Sequence, residues 1–186
     1  MTLVSMLALD PHEIAPRHNP FLGARRLIAA VVVQAVQDAH SKPVPTPSEL
    51  LEARRAAAQR AACRNGRVGK TAQFIANRAF TKAWSRHEMA KRFGLQDIAV
   101  SHDQCAAFDF LLTSAGLNAY LEFLDIDPSA FRARVMDGCG ALTGWQNTTS
   151  VANRRKWFGI NLQRWRQLRS LPPAIAGVAI YADDTV

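Results

Sequence analysis

Apolar positions recur at helical spacing along most of this chain, and proline or glycine marks nearly every break between them. Asn19-Pro20 reads as an N-cap followed by proline in the first turn. Behind it, Leu22, Leu27, Ile28, Val31, Val32, Ala35 and Val36 cover a broad face, which predicts a core helix over 21–39. Lys42-Pro43-Val44-Pro45-Thr46-Pro47 must end that helix, because its prolines remove backbone donors and cannot continue the ladder. Thr46-Pro47-Ser48-Glu49 is a capping box with proline at N1, and the helix it opens is expected to reach Arg64 and stop at Asn65-Gly66. A third helix is expected from Thr71 toward Phe93, closed by Gly94, with a break near Ser85. Its apolar face would be Phe74, Ile75, Phe80, Ala83, Trp84, Ala90 and Phe93.

Further helices are expected over Cys105–Leu112, over Leu117–Leu124, from the Asp127-Pro128 cap to Gly138, and from Thr149 to Leu168 ahead of Pro172-Pro173. Residues 138–147 read as loop, and Ile175–Tyr181 reads as a strand or a tail. The expected fold is therefore all-α: one compact domain over 1–186 with six to seven helices. Its core would be the first helix on those of 105–137, with 42–100 as a basic insert.

Nearly half of the 186 residues are apolar, so a real core can be buried. The formal net charge is +8, which favours polyanionic partners. That charge is blocked. Arg54 to Arg92 holds eleven basic residues and one acid; Asp97 to Asp137 holds seven acids against Arg132 and Arg134; Arg154 to Arg169 holds six basic residues and no acid. Such separation suggests different partners for different parts. The three cysteines are far apart and form no CxxC pair, which argues against a disulfide framework and for a reducing compartment. The first apolar run has no basic residue before it and Asp10-Pro11 directly after it, a poor signal peptide. Leu27–Val36 is too short to span a bilayer. The expected setting is the bacterial cytoplasm, at the nucleoid, with no membrane partner.

The expected contacts to nucleic acid are Arg54, Arg55, Arg60, Arg64, Arg67, Lys70, Arg78, Lys82, Arg86, Lys91 and Arg92, joined by Arg154, Arg155, Lys156, Arg164 and Arg166 of the last helix. The guanidinium fork suits phosphate because it donates two bonds at once. Within the last helix Trp157, Phe158 and Trp165 are expected to anchor the core, while the arginines hold phosphates from the other side. The stretch Ser85–Leu95 has the form of the first half of a helix-turn-helix, with Ala90, Gly94 and Val100 suitably spaced. A second helix would begin near Gln96-Asp97 and offer Ser101 and His102 to base edges. The plainer alternative is a helix with a glycine C-cap.

No catalytic centre, metal site or cofactor is expected. Gly66-Arg67-Val68-Gly69-Lys70-Thr71 has two residues between its glycines where a P-loop needs four. The five histidines form no HExxH pattern. Asp109, Glu122, Asp125 and Asp127 fit caps and solvated positions better than a nuclease centre.

Two separated stretches carry a family resemblance. The first is Asn19-Pro20-Phe21-Leu22-Gly23-Ala24-Arg25-Arg26-Leu27, continuing through Val36-Gln37-Asp38-Ala39. The second is Ala107-Phe108-Asp109-Phe110-Leu111-Leu112, then Tyr120-Leu121-Glu122-Phe123-Leu124-Asp125-Ile126-Asp127-Pro128 with Phe131-Arg132. Together they resemble a helical module of alphaproteobacterial prophages and of gene-transfer-agent transcription activators. Two departures stand out: Leu121 or a neighbour replaces the usual cysteine, and the connection between the segments is much longer. The resemblance implies a DNA-binding transcriptional regulator of phage-like genes. The acidic 97–137 surface would meet RNA polymerase or another regulator, and a homodimer is compatible. The alternatives are a protein–protein adaptor whose basic surface meets an acidic partner, and a small nuclease.

Overall fold

The computed structural model describes residues 21–63, 70–136 and 151–181. The fold is all-helical, as the spacing predicts. Among the described residues there are eight α-helices: α1 (Leu22–Ala39), α2 (Pro47–Cys63), α3 (Lys70–Arg92), α4 (His102–Phe108), α5 (Gly116–Phe123), α6 (Pro128–Met136), α7 (Val151–Arg169) and α8 (Pro173–Ala176). A π-helical turn, Asp109–Thr113, continues α4. Two two-residue strands, β1 (Val100–Ser101) and β2 (Ile180–Tyr181), pair in parallel and are too short to form a layer. No described helix is long and apolar enough to cross a membrane.

The contacts divide the chain into two compact units. Among the described residues the first comprises 21–42, 103–136 and 151–163, the second 43–63, 70–102 and 164–181.

In the first unit, α1 turns Ala29, Val32, Ala35, Val36 and Ala39 inward. Their spacing of three and four keeps one stripe buried. Phe108, Leu111, Leu117, Leu121, Phe131, Val135, Phe158 and Leu162 complete the core. Phe108 and Phe158 meet with ring centroids 5.5 Å apart. Asp127 caps α6, accepting hydrogen bonds from the backbone N–H of Ser129 (3.2 Å) and Ala130 (3.0 Å), with Pro128 at N1 as expected. The α5 C-terminus closes by a Schellman motif: Ile126 N–H donates to Leu121 C=O (2.8 Å) and Asp125 N–H to Glu122 C=O (3.0 Å). Asp125 takes the left-handed position, φ 59°, where aspartate is tolerated better than most side chains. Arg25 of α1 then donates to its carboxylate at 2.7 Å.

In the second unit the capping box at Thr46 forms as read. Thr46 N–H donates to the Glu49 carboxylate (2.8 Å), and Glu49 N–H to Thr46 Oγ1 (3.2 Å). α2 and α3 pack on one another as a helical pair. The α3 helix is continuous through Ser85, where a break was expected. It ends in a second Schellman motif, with Leu95 N–H on Ala90 C=O (2.9 Å), Gly94 N–H on Lys91 C=O (3.1 Å), and Gly94 at φ +69°.

The expected second helix of a helix-turn-helix is absent. Residues 96–97 form a turn, and Val100–Ser101 pairs with Ile180–Tyr181; the next helix begins at His102. An extended backbone at 100–101 finds ladder partners about eighty residues downstream, which local pattern cannot reveal.

Candidate nucleic-acid interface

Each basic helix distributes its charged residues in its own way. On α2, residues 50, 51, 54, 57, 58 and 61 are the less exposed positions. Arg54 belongs to that packed side, while Arg55 and Arg60 point to other sides of the same helix. Arg60 Nε donates to the Ala56 carbonyl of its own helix at 3.3 Å. The α2 arginines are therefore dispersed. Arg64 and Arg67, and the rest of their basic loop up to Gly69, lie outside the described residues.

α3 differs. Ala83 and Ala90 are buried on one side, with Ala79, Phe80, Arg86 and His87 half-buried around them. The opposite side carries Phe74, Ile75, Arg78, Lys82, Met89 and Arg92, with Phe93 at the C-cap. At about 100° per residue these fall within an arc of roughly 100°. All are exposed: Phe74 by 65%, Ile75 by 61%, Met89 by 48% and Phe93 by 43%. Lys70 lies at the edge of this arc and Lys91 off it; both are exposed. Among the described residues, none of Lys70, Arg78, Lys82 and Arg92 pairs with a carboxylate.

This overturns the expected apolar face of the third helix. Phe74, Ile75, Trp84 and Phe93 are exposed. At about 100° per residue Phe74 lies about 120° or more from Phe80, Ala83 and Ala90, a separation already present in the sequence, whereas Trp84 lies about 40° from Phe80 and is exposed nonetheless.

α7 uses similar residues inward. Phe158, Asn161, Leu162, Trp165 and Leu168 are buried, Trp157 is half-buried, and Arg155, Lys156 and Arg166 are exposed. Arg154 sits on the buried side. Arg164, expected to hold phosphate, is engaged within the protein. Its Nη1 donates to Val44 C=O (2.9 Å) and, at longer range, to Ala99 C=O (3.4 Å), and its Nη2 lies 3.9 Å from the Glu49 carboxylate. Burial lowers its pKa, and Glu49 opposes that shift. Ser101, expected to read bases, is buried in the β1 pairing. His102 is exposed at the start of α4.

The proline-rich segment explains these inward donors. Prolines leave the carbonyls of 41–44 without a helical or sheet partner, and such groups need donors when covered. Gln104 Nε2 donates to Lys42 C=O (3.1 Å) and Ser41 Oγ (2.9 Å); Asn161 Nδ2 donates to Ser41 C=O (2.9 Å) and Ala39 C=O (3.2 Å). Arg164 does the same for Val44.

One buried titratable group stands beside α7. His40 Nδ1–H donates to Val36 C=O at 2.8 Å, and the ring stacks on Phe158 with centroids 4.5 Å apart. Burial, and secondarily the charge of Arg154, pushes its pKa below 6.5 against the opposing Val36 bond, so the imidazole is held neutral.

Of the four carboxylates considered for a nuclease, Asp125 pairs with Arg25 and Asp127 caps α6. Asp109 faces Cys105 Sγ at 4.0 Å. Among the described residues no group of three His, Cys, Asp or Glu is placed to hold a metal ion. Comparison with protein-family models, with curated proteins and with solved structures returns no match.

Proposed function

We propose that the protein binds DNA through the outward arc of α3. The observation that carries this reading is the alignment of Lys70, Arg78, Lys82 and Arg92 along one exposed helical side, without carboxylate partners among the described residues. Cations held this way have hydration and counterions to exchange for phosphate oxygens. Arg55, Arg60, Lys156 and Arg166 are exposed and can add diffuse attraction. Control of transcription of phage or gene-transfer-agent genes is the biological setting that the sequence resemblance suggests for such binding.

The test is fluorescence anisotropy of a labelled oligonucleotide over a range of salt. Affinity should fall with salt at a slope set by the phosphates neutralised, about 0.9 per contact on duplex. Replacing Arg78, Lys82 and Arg92 by glutamine should weaken binding by roughly 100-fold at low salt and reduce that slope by about 2–3. Absence of binding in low salt would remove the reading.

A second reading, a protein contact, is favoured by the outer side of α1. Leu27 and Val31 are 67% and 44% exposed there, beside Gly23, Ala24 and Ala30. Ala24, Leu27 and Val31, spaced three and four apart, share one side of α1. Sedimentation of the Leu27→Glu variant tests a homodimer through this side: a mass unchanged from wild type argues against it.

A further inference from the structure

We infer that the α3 arc takes a polynucleotide with unpaired bases, resting on the proposed polynucleotide contact and extending it to the form of the ligand. The argument lies in what accompanies the cations. A surface built only to hold duplex phosphates needs charge and hydrogen-bond donors. This one also exposes Phe74, Ile75, Met89 and Phe93, all large and apolar, in the same arc as Arg78, Lys82 and Arg92. Burying such groups stabilises a complex in proportion to the apolar area removed from water. A duplex keeps its base faces stacked inside and presents phosphates and groove edges. An unpaired strand presents base faces, which are apolar and π-rich, on the same chain as its phosphates.

The spacing fits that ligand. Phe74 and Phe93 lie nineteen positions apart, about 28 Å along a helix. That length accommodates several nucleotides in a row, within the range of single-strand sites. Cations alternate with apolar groups along it: Lys70, then Phe74 and Ile75, Arg78 and Lys82, then Met89, Arg92 and Phe93. The aromatic rings stack with bases of any identity, and the guanidinium and ammonium groups track the backbone. Trp84 is exposed as well, but lies off this arc against Phe80, at a centroid distance of 6.4 Å.

The experiment compares a labelled oligothymidine with a mixed-sequence duplex of the same length on the full chain, by anisotropy across salt. Three proteins are used: wild type, Phe74→Ala/Phe93→Ala, and Arg78→Gln/Lys82→Gln/Arg92→Gln. The expected result is tenfold or greater preference for the single strand. The phenylalanine variant should lose at least about fivefold on oligothymidine with its salt slope unchanged. The cation variant should lose slope on both ligands. Both variants change outward side chains, and their thermal unfolding provides the check on folding. Ultraviolet cross-linking of oligothymidine to wild type, mapped by mass spectrometry, should place adducts in 70–93. Equal or tighter duplex binding or an unaffected phenylalanine variant would overturn the single-strand inference while leaving the polynucleotide contact standing; adducts outside 70–93 would overturn the α3 contact itself. Failure of both ligands to bind would overturn the contact itself.

Discussion

On α7, Phe158 and Trp165 are buried and Arg164 closes on backbone carbonyls, whereas on α3 Phe74 and Ile75 are exposed beside Arg78 and Lys82, which have no carboxylate partner among the described residues. Both helices are rich in arginine and aromatics, so composition does not separate them. What separates them is phase. On α7 Phe158 and Trp165 share a side with Asn161, Leu162 and Leu168; on α3 Ala83 and Ala90 hold the packed side with Phe80 half-buried beside them, and Phe74 falls outside. Small residues let α3 pack closely while Phe74, Ile75 and Met89 are left exposed.

The contrast can be broken first by truncating the rings. Phe158→Ala should destabilise by about 3–5 kcal/mol in urea unfolding, while Phe74→Ala should stay within about 0.5 kcal/mol. Similar losses from the two would refute the inward and outward assignments. Arginine gives the next largest difference. Arg164→Ala strips Val44 C=O of its donor and should cost about 1–3 kcal/mol. Arg78→Ala should cost less than about 0.5 kcal/mol and should register in ligand affinity instead. Removing a local device should cost less again: Thr46→Ala loses one arm of the capping box, about 1 kcal/mol.

The gentlest test is pH. The folded state holds His40 below 6.5, so the unfolded chain takes up its proton first as pH falls. The contribution of this neutral ring to stability is whole above 6.5 and is lost progressively below it, until the folded pKa is passed. His40→Gln should flatten that part of the stability profile as read by urea midpoints. A profile unchanged by the substitution would show that the ring is accessible to protons in the native protein.

Local devices were legible in the sequence. The Thr46–Glu49 box, the Asp127-Pro128 cap and the Gly94 terminus depend on residues within a turn of one another, and each forms where its pattern stands. The periodicity of α7 likewise placed positions 154, 158, 161 and 165 on one side. Features that need a distant partner were not legible. The strand at Val100–Ser101 depends on Ile180–Tyr181. The inward role of Arg164 depends on carbonyls left orphaned by prolines 120 residues earlier. For the candidate site, the charge block was visible, but its resolution into one aligned helix and one dispersed helix was not. Arg54, Arg55 and Arg60 look contiguous in sequence and diverge around α2 because neighbours one and five apart do not share a side.

Gly94 has a stereochemical consequence. A methyl group built on its Cα would meet nothing within 4 Å, so the site disfavours most L-residues by dihedral angle alone and not by crowding. A D-alanine introduced at 94 by chemical ligation would match the handedness of this corner. It would stiffen the unfolded chain without disturbing the native one, and so tighten the end of α3 that carries Arg92 and Phe93.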